Sequence, residues 1–477
     1  MDRAENTFLS KMKNLSPAID RNYFWMLSGR MSPLLMLFVV TILYSHRLTL
    51  EDYSGFQSLW MYSNVVSVII GFGVTTLIFS TPPGVLSGFF RRKRRQIISF
   101  YLLLWIVTLF IFFVAAKQFA QSLKLWIIIF IIVQTINSIT ESGLIKRDGS
   151  FPYFLINIVY SLFFFGWHIV ILQSGYNLES LVKGIIGFSM LRFLALVSIK
   201  RSAAQYPKRN PEENKEFRFH WISNGINDIL SVFSKWIDKL ILVYLLVPAD
   251  FAIFFNGSVE IPLFSIFINA TGAYMMMQMA KSINDHGFIR DIFKENFLIL
   301  SSAVFPLFFF LMFFREPVFL TFFGEKYLAS LPVFAITILI LPLRINHFGG
   351  ILQVYGKGKI VTIGAFIDLI LAIFFVFLLY PISGMQGAAA ALVISTILQI
   401  VFYLFHISHT LKMSVQSLIP LKKLLFRFLL AGVIFGLLNF LVSGLKPILQ
   451  IISGCILIAG YAFIFGRKYL TQFGNNL

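Results

Sequence analysis

The chain has 477 residues, 58% of them hydrophobic and only 13% charged, yet its formal net charge is +19. Soluble domains carry about 25% charged residues, so this composition excludes an ordinary globular enzyme. A single cysteine, Cys455, excludes an intramolecular disulfide and a thiolate metal cage, and reads as a small apolar packing residue.

The apolar residues come in blocks of roughly 20, the length needed to cross a bilayer as a helix. A helix satisfies its own backbone hydrogen bonds in hydrocarbon. In chain order the predicted spans are 22–44, 56–80, 96–116, 125–144, 152–173, 181–199, 221–247, 251–279, 296–314, 328–345, 360–380, 386–408, 425–444 and 449–466. The sequence predicts an all-α polytopic membrane protein with about fourteen transmembrane helices, and twelve spans is the fallback count. The polar start, with Arg3, Lys11, Lys13 and Arg21, reads as a cytoplasmic segment with no signal peptide.

Lys and Arg explain the charge. With the N-terminus placed inside, 29 of the 40 fall in cytoplasmic segments, among them the run Arg91, Arg92, Lys93, Arg94 and Arg95. Six fall on the opposite side and five inside spans: Arg30, Lys183, Arg192, Lys235 and Lys239. Cytoplasmic loops are enriched in basic residues. The asymmetry places both termini in the cytoplasm and removes nucleic acid as a partner.

The longest connection, 200–220, is a predicted cytoplasmic linker. It separates a six-helix bundle (1–199) from a second one (221–409), and two further transmembrane helices with a short tail follow (410–477). Asp52-Tyr53-Ser54-Gly55-Phe56 after span one echoes Asp250-Phe251-Ala252-Ile253-Phe254 after span seven. The two bundles are therefore expected to be related by a pseudo-repeat, a common plan for carriers. No phosphate-binding glycine loop, metal-ligand spacing or cofactor fingerprint occurs. All external loops are short, so a catalytic platform is not expected either.

Charge inside a span is costly and marks a bundle interior or a water-filled cavity. In span seven, Asn224, Asp228, Ser231, Lys235, Asp238 and Lys239 recur at helical spacing and form one stripe. Lys235 and Asp238 are three apart and able to pair. Lys235 and Lys239 are one turn apart, and their repulsion calls for an anion nearby. The lumen candidates are Lys235, Lys239, Arg30, Arg192, Asn224 and Asp228, although Arg30 and Arg192 could instead snorkel to the cytoplasmic interface. Asp238, Glu260 and Asp368, with Asp228, could hold a coupling cation. Weaker polar stripes are Gln57, Asn64, Ser67 and Gly71 in span two, and Asn157, Ser161 and His168 in span five. His168 alone reads as a packing residue.

Arg47 to Phe56 followed by Gly71-Phe72-Gly73-Val74 resembles the span one–two signature of the polysaccharide transporters. This family contains the O-antigen and lipid-linked oligosaccharide flippases of the multidrug/oligosaccharidyl-lipid/polysaccharide superfamily. Ser54, between Tyr53 and Gly55, is a small departure. Phe323-Gly324-Glu325-Lys326-Tyr327, Val354-Tyr355-Gly356-Lys357-Gly358-Lys359 and Gly384-Met385-Gln386-Gly387-Ala388-Ala389 resemble the family's later turns, in order. The resemblance implies a bacterial inner-membrane flippase that moves an isoprenoid-diphosphate-linked sugar by alternating access, without cofactor or ATP site. Membrane lipids and glycan polymerase machinery would be its partners. Two alternatives stand beside it: an ion-coupled multidrug or cation antiporter of the same superfamily, and a non-transporting scaffold for glycan assembly.

Overall fold

The computed structural model describes residues 2–80, 93–145, 150–199, 214–259 and 262–475. Glu260, Arg91, Arg92, Lys146, Arg147 and residues 200–213 of the predicted linker lie outside the described residues. Within them the chain is helical, without strands.

Each predicted span falls on helix, some on one helix, some on two or three short ones. In the first half the helices are Asp2–Arg47, Leu50–Gly71 with Val74–Ser80, Arg94–Ala115, Gln121–Ile145, Ser150–Gln173 and Leu178–Ser198. Asn214–Leu245 carries span seven, and Pro248–Gly257 with Pro262–Lys281 carries span eight. His286–Phe313, the short helices between Glu325 and Leu343, Gly358–Leu411, Leu421–Val442 and Pro447–Asn475 complete the set. Several helices outrun the predicted spans, His286–Phe313 beginning well before 296 and Pro447–Asn475 ending well after 466. The N-terminal polar segment is helical and continuous with span one, and helix already begins at Asn214, seven residues before the predicted start of span seven.

Ten described helices are long and apolar enough to cross a membrane. One of them, Gly358–Leu411, is two predicted spans in a single stretch, broken at Gly384 with φ 57°. Its halves run antiparallel. Tyr403 Oη donates to Val361 O at 2.9 Å, Gln399 Nε2 to Gly364 O at 3.2 Å, and Lys357 Nζ to Thr410 Oγ1 at 2.9 Å. Spans two, seven and eight are absent from the ten. These are the spans in which Gln57, Asn64, Asp228, Lys235, Asp238, Lys239 and Asn256 interrupt the apolar run.

The outer surface is apolar where a soluble protein would be polar. Phe110, Ile106, Phe440 and Leu441 are 67%, 66%, 79% and 77% exposed. Contiguous exposed apolar surface on this scale fits a lipid solvent. Cys455 joins that exposed set rather than the packed interior expected for it, because its helix turns that face outward.

The chain divides into two compact units, Met1–Phe233 and Ser234–Leu477, with the division inside the span-seven helix. In the first unit, Asp2–Arg47 packs on Ser150–Gln173 and Gln121–Ile145 on Leu178–Ser198. In the second, His286–Phe313 packs on both C-terminal helices. The echoed motifs behave alike in the two units. Asp52 and Asp250 each sit in a first helical turn, favourable for an anion near the helix N-terminus. Tyr53, Phe56, Phe251 and Phe254 are all at most 1% exposed.

Candidate functional site

The second span of each unit is interrupted. In the first unit, Leu50–Gly71 ends at Phe72, which takes left-handed φ 34°, ψ 63°. Gly73 follows with φ 70°, and a Cβ on it would lie 2.6 Å from the backbone nitrogen of Gly225. Glycine at 73 therefore lets the break touch the span-seven backbone. The carbonyls freed by the break are taken by aromatic donors. Trp105 Nε1 reaches Ile70 O and Trp221 Nε1 reaches Phe72 O, each at 3.0 Å. Just beyond, Thr76 Oγ1 lies 2.9 and 3.1 Å from the two carboxylate oxygens of Asp228. Asn224 is nearby on the same helix, its Nδ2 buried without a partner among the described residues.

In the second unit the interruption follows Pro248–Gly257 and opens on a cavity of about 80 Å³. Lys235, Lys239 and Arg344 line it together with Asp368, Ser395 and Thr396. Lys235 is exposed there, and its ammonium lies 5.8 Å from the Trp236 ring centre. Asp368 is 6% exposed and lines the cavity with Arg344 and with Ser395, whose hydroxyl donates to Leu392 O at 3.1 Å, and its Oδ1 has no hydrogen-bond partner among the described residues. The cavity thus gathers three cationic side chains and one carboxylate, and one of the three cations, Lys239, is also paired with Asp238.

The span-seven stripe is differentiated. Asp238 is fully buried and pairs with Lys239, Nζ to Oδ2 at 3.1 Å, rather than with Lys235 three residues away. The reason is burial. Lys239 is 5% exposed and its ammonium sits between the Trp236 and Phe255 rings, 5.7 Å from each centre. Lys235 is turned outward into the cavity, so the nearer buried cation neutralises the buried acid.

The remaining candidates belong to the first unit. Arg192 turns to partners on spans four and five. It pairs with Glu141 at 2.6 Å, donates to Asn157 Oδ1, and lies 4.5 Å from the Tyr160 ring centre. Arg30 is exposed, with its guanidinium 5.1 Å from the Phe79 ring centre. Lys183 pairs with Glu179 one turn away. His168 is fully buried and meets Tyr44 Oη at 2.7 Å through Nδ1, while its Nε2 has no hydrogen-bond partner among the described residues.

Sequence reasoning passed over Glu141, Arg344, Gln134 and Asn137. Gln134, Asn137 and Glu141 are spaced three and four apart on one face of span four, a signal that was available. Arg344 closes the apolar run of predicted span ten, and its place at the end of that run gives no sign of a cavity.

A helical membrane fold with two units, each holding an interrupted second span beside polar side chains of span seven, defines a recognisable class. The chain has the fold of the transporters of the multidrug/oligosaccharidyl-lipid/polysaccharide (MOP) superfamily. It is similar to the lipid II flippase MurJ in its inward closed conformation, with TM-score 0.67 and 14% identity over 94% of this chain and 100% of that one. It is also similar to an inward-facing multidrug-resistance MATE transporter of the MOP superfamily, with TM-score 0.59 and 13% identity over 81% and 99% of the two chains. A third likeness is to a Pyrococcus furiosus MOP transporter described as having a binding pocket of reversed polarity, with TM-score 0.54 and 14% identity over 83% and 96%. No protein-family model and no curated protein matches the sequence.

Proposed function

We propose that this protein is a transporter, not an enzyme, and that it flips an isoprenoid-diphosphate-linked saccharide across the bacterial inner membrane by alternating access. One observation carries the reading: Lys235, Lys239 and Arg344 converge on one cavity in the second unit. Lys239 is matched there by the adjacent buried Asp238, and Asp368 is the carboxylate of the lining. A diphosphate is the anionic head group such a cluster would suit, because cations in a low-dielectric wall stabilise it more than water-exposed ones do. The likeness to a lipid II flippase supports the same substrate class.

The test is reconstitution. The protein in liposomes should make a fluorescent polyprenyl-diphosphate saccharide accessible to an impermeant quencher. Lys235→Ala should lower the rate at least about tenfold at unchanged abundance, as expected for loss of one charge-assisted contact. Lys235→Arg should retain part of it, since charge is kept while geometry changes. Full activity of Lys235→Ala would overturn the assignment. A second reading, an ion-coupled cation antiporter, draws on Asp368 and on the MATE likeness. It predicts proton- or sodium-driven ethidium movement in the same liposomes that Asp368→Asn abolishes.

A further inference from the structure

The first unit holds a second polar cavity, of about 160 Å³, enclosed by five helices. Trp60 and Asn64 come from Leu50–Gly71, Phe130, Gln134 and Asn137 from Gln121–Ile145, and Tyr160 and Phe164 from Ser150–Gln173. Ser189 and Arg192 close it from Leu178–Ser198, and Pro33, Leu34 and Leu37 from the first helix.

Its polar atoms are unusual in being unspent. Among the described residues, Gln134 Oε1, Asn137 Oδ1, Trp60 Nε1 and Arg192 Nε are buried without a hydrogen-bond partner. Asn137 is only 2% exposed and is fixed in place by donating to Ser189 O at 2.9 Å. Its remaining oxygen is thus held in a defined position. Leaving buried polar atoms unpaired is costly, and native proteins keep few of them. The cavity has room for several water-sized groups.

The charge of the cavity decides what could fill it. Arg192 is neutralised by Glu141, so a diphosphate finds no uncompensated cation and a cationic drug finds no free acid. What remains is two carbonyl acceptors and two N–H donors, set among the rings of Trp60, Phe130, Tyr160 and Phe164. Trp60 meets Phe130 edge-on at 5.6 Å and Phe164 at 5.9 Å, which fixes its ring. A hydroxyl both donates and accepts, so a ligand bearing several hydroxyls on an otherwise apolar ring face satisfies all four atoms at once.

We infer that this cavity is a saccharide-binding site, taking a neutral sugar residue that stacks on the aromatic wall and bonds to Gln134, Asn137, Trp60 and Arg192. The inference rests on the lipid-linked saccharide reading for the identity of the whole substrate. Sugar binding itself is separable from it.

The experiment uses the full chain in lipid nanodiscs free of glycoside detergent, with saturation-transfer NMR against glucose, galactose, rhamnose and N-acetylglucosamine. At least one of these sugars should receive saturation. Gln134→Met keeps volume but loses the acceptor, and Trp60→Phe keeps an aromatic ring but loses the donor. Each should weaken binding about fivefold, the effect of one net hydrogen bond. Lys235→Ala should leave sugar binding unchanged. No transfer to any of the four sugars, or equal transfer in wild type and both variants, overturns the inference. Sugar binding without flipping of the diphosphate lipid would refute the flippase reading alone, and flipping with no sugar binding would refute only this site.

Discussion

The Asp238–Lys239 pair offers a quantitative handle on which span-seven lysine is structural. Both side chains are almost fully buried and 3.1 Å apart. At an effective dielectric of 20, two unit charges at that distance attract by about 5 kcal/mol. Desolvation offsets much of this, so replacing both residues by apolar ones of similar volume is often neutral, whereas removing one partner costs roughly 3–5 kcal/mol. Lys239→Met should therefore destabilise strongly, because Asp238 already lacks a partner at Oδ1 and would lose the one at Oδ2. Asp238→Leu should behave similarly, and the double variant should recover most of the loss. The assay is unfolding in mixed micelles by dodecyl sulfate titration, combined with membrane abundance. A coupling below about 1 kcal/mol, or a double variant as unstable as either single one, would refute the argument that the pair is structural. Transport should follow the same cycle for Lys239 but not for Lys235, which faces the cavity.

Glu141→Gln should strand the Arg192 charge and lower stability by roughly 3 kcal/mol, read as reduced membrane abundance that Glu141→Gln/Arg192→Met partly restores. Thr76→Val should cost about 1.5–3 kcal/mol, because Asp228 loses a hydrogen bond to a charged acceptor, measured as a lower thermal midpoint. Gly387→Val should cost about 3 kcal/mol, since a Cβ at 387 would lie 2.1 Å from the Leu379 carbonyl oxygen and push the antiparallel helices apart. Fusions of green fluorescent protein at Leu477 and within 81–92 should fluoresce and alkaline phosphatase at the same points should stay inactive, which would establish the cytoplasmic ends.

The spans were legible because bilayer thickness imposes a length on each apolar block, and even the double span 358–411 was divided in sequence where Gly384 breaks it. The turn glycines were legible for a related reason: Gly324, Gly356 and Gly384 all adopt positive φ, where a side chain is disfavoured. The site was only partly legible. Periodicity put Lys235, Asp238 and Lys239 on one stripe, but partner choice depends on which lysine is buried, and spacing carries no burial. Glu141 was invisible as the partner of Arg192 because the pair joins span four to span six, a contact with no local signature. The same holds for Gln134 and Asn137, whose significance comes from facing Trp60 across helices distant in sequence.

The break at Phe72 has a consequence for leakage. A disrupted helix within a membrane exposes carbonyls that would otherwise recruit a file of water, and such a file conducts protons. Here the Ile70 and Phe72 carbonyls are held by the indoles of Trp105 and Trp221. An indole N–H donates but has no lone pair with which to accept and pass on a proton. At these two carbonyls the indole ends a proton wire instead of extending it, and the group at the break that can both donate and accept is the Tyr101 hydroxyl, 3.4 Å from the Gly71 and Phe72 carbonyls.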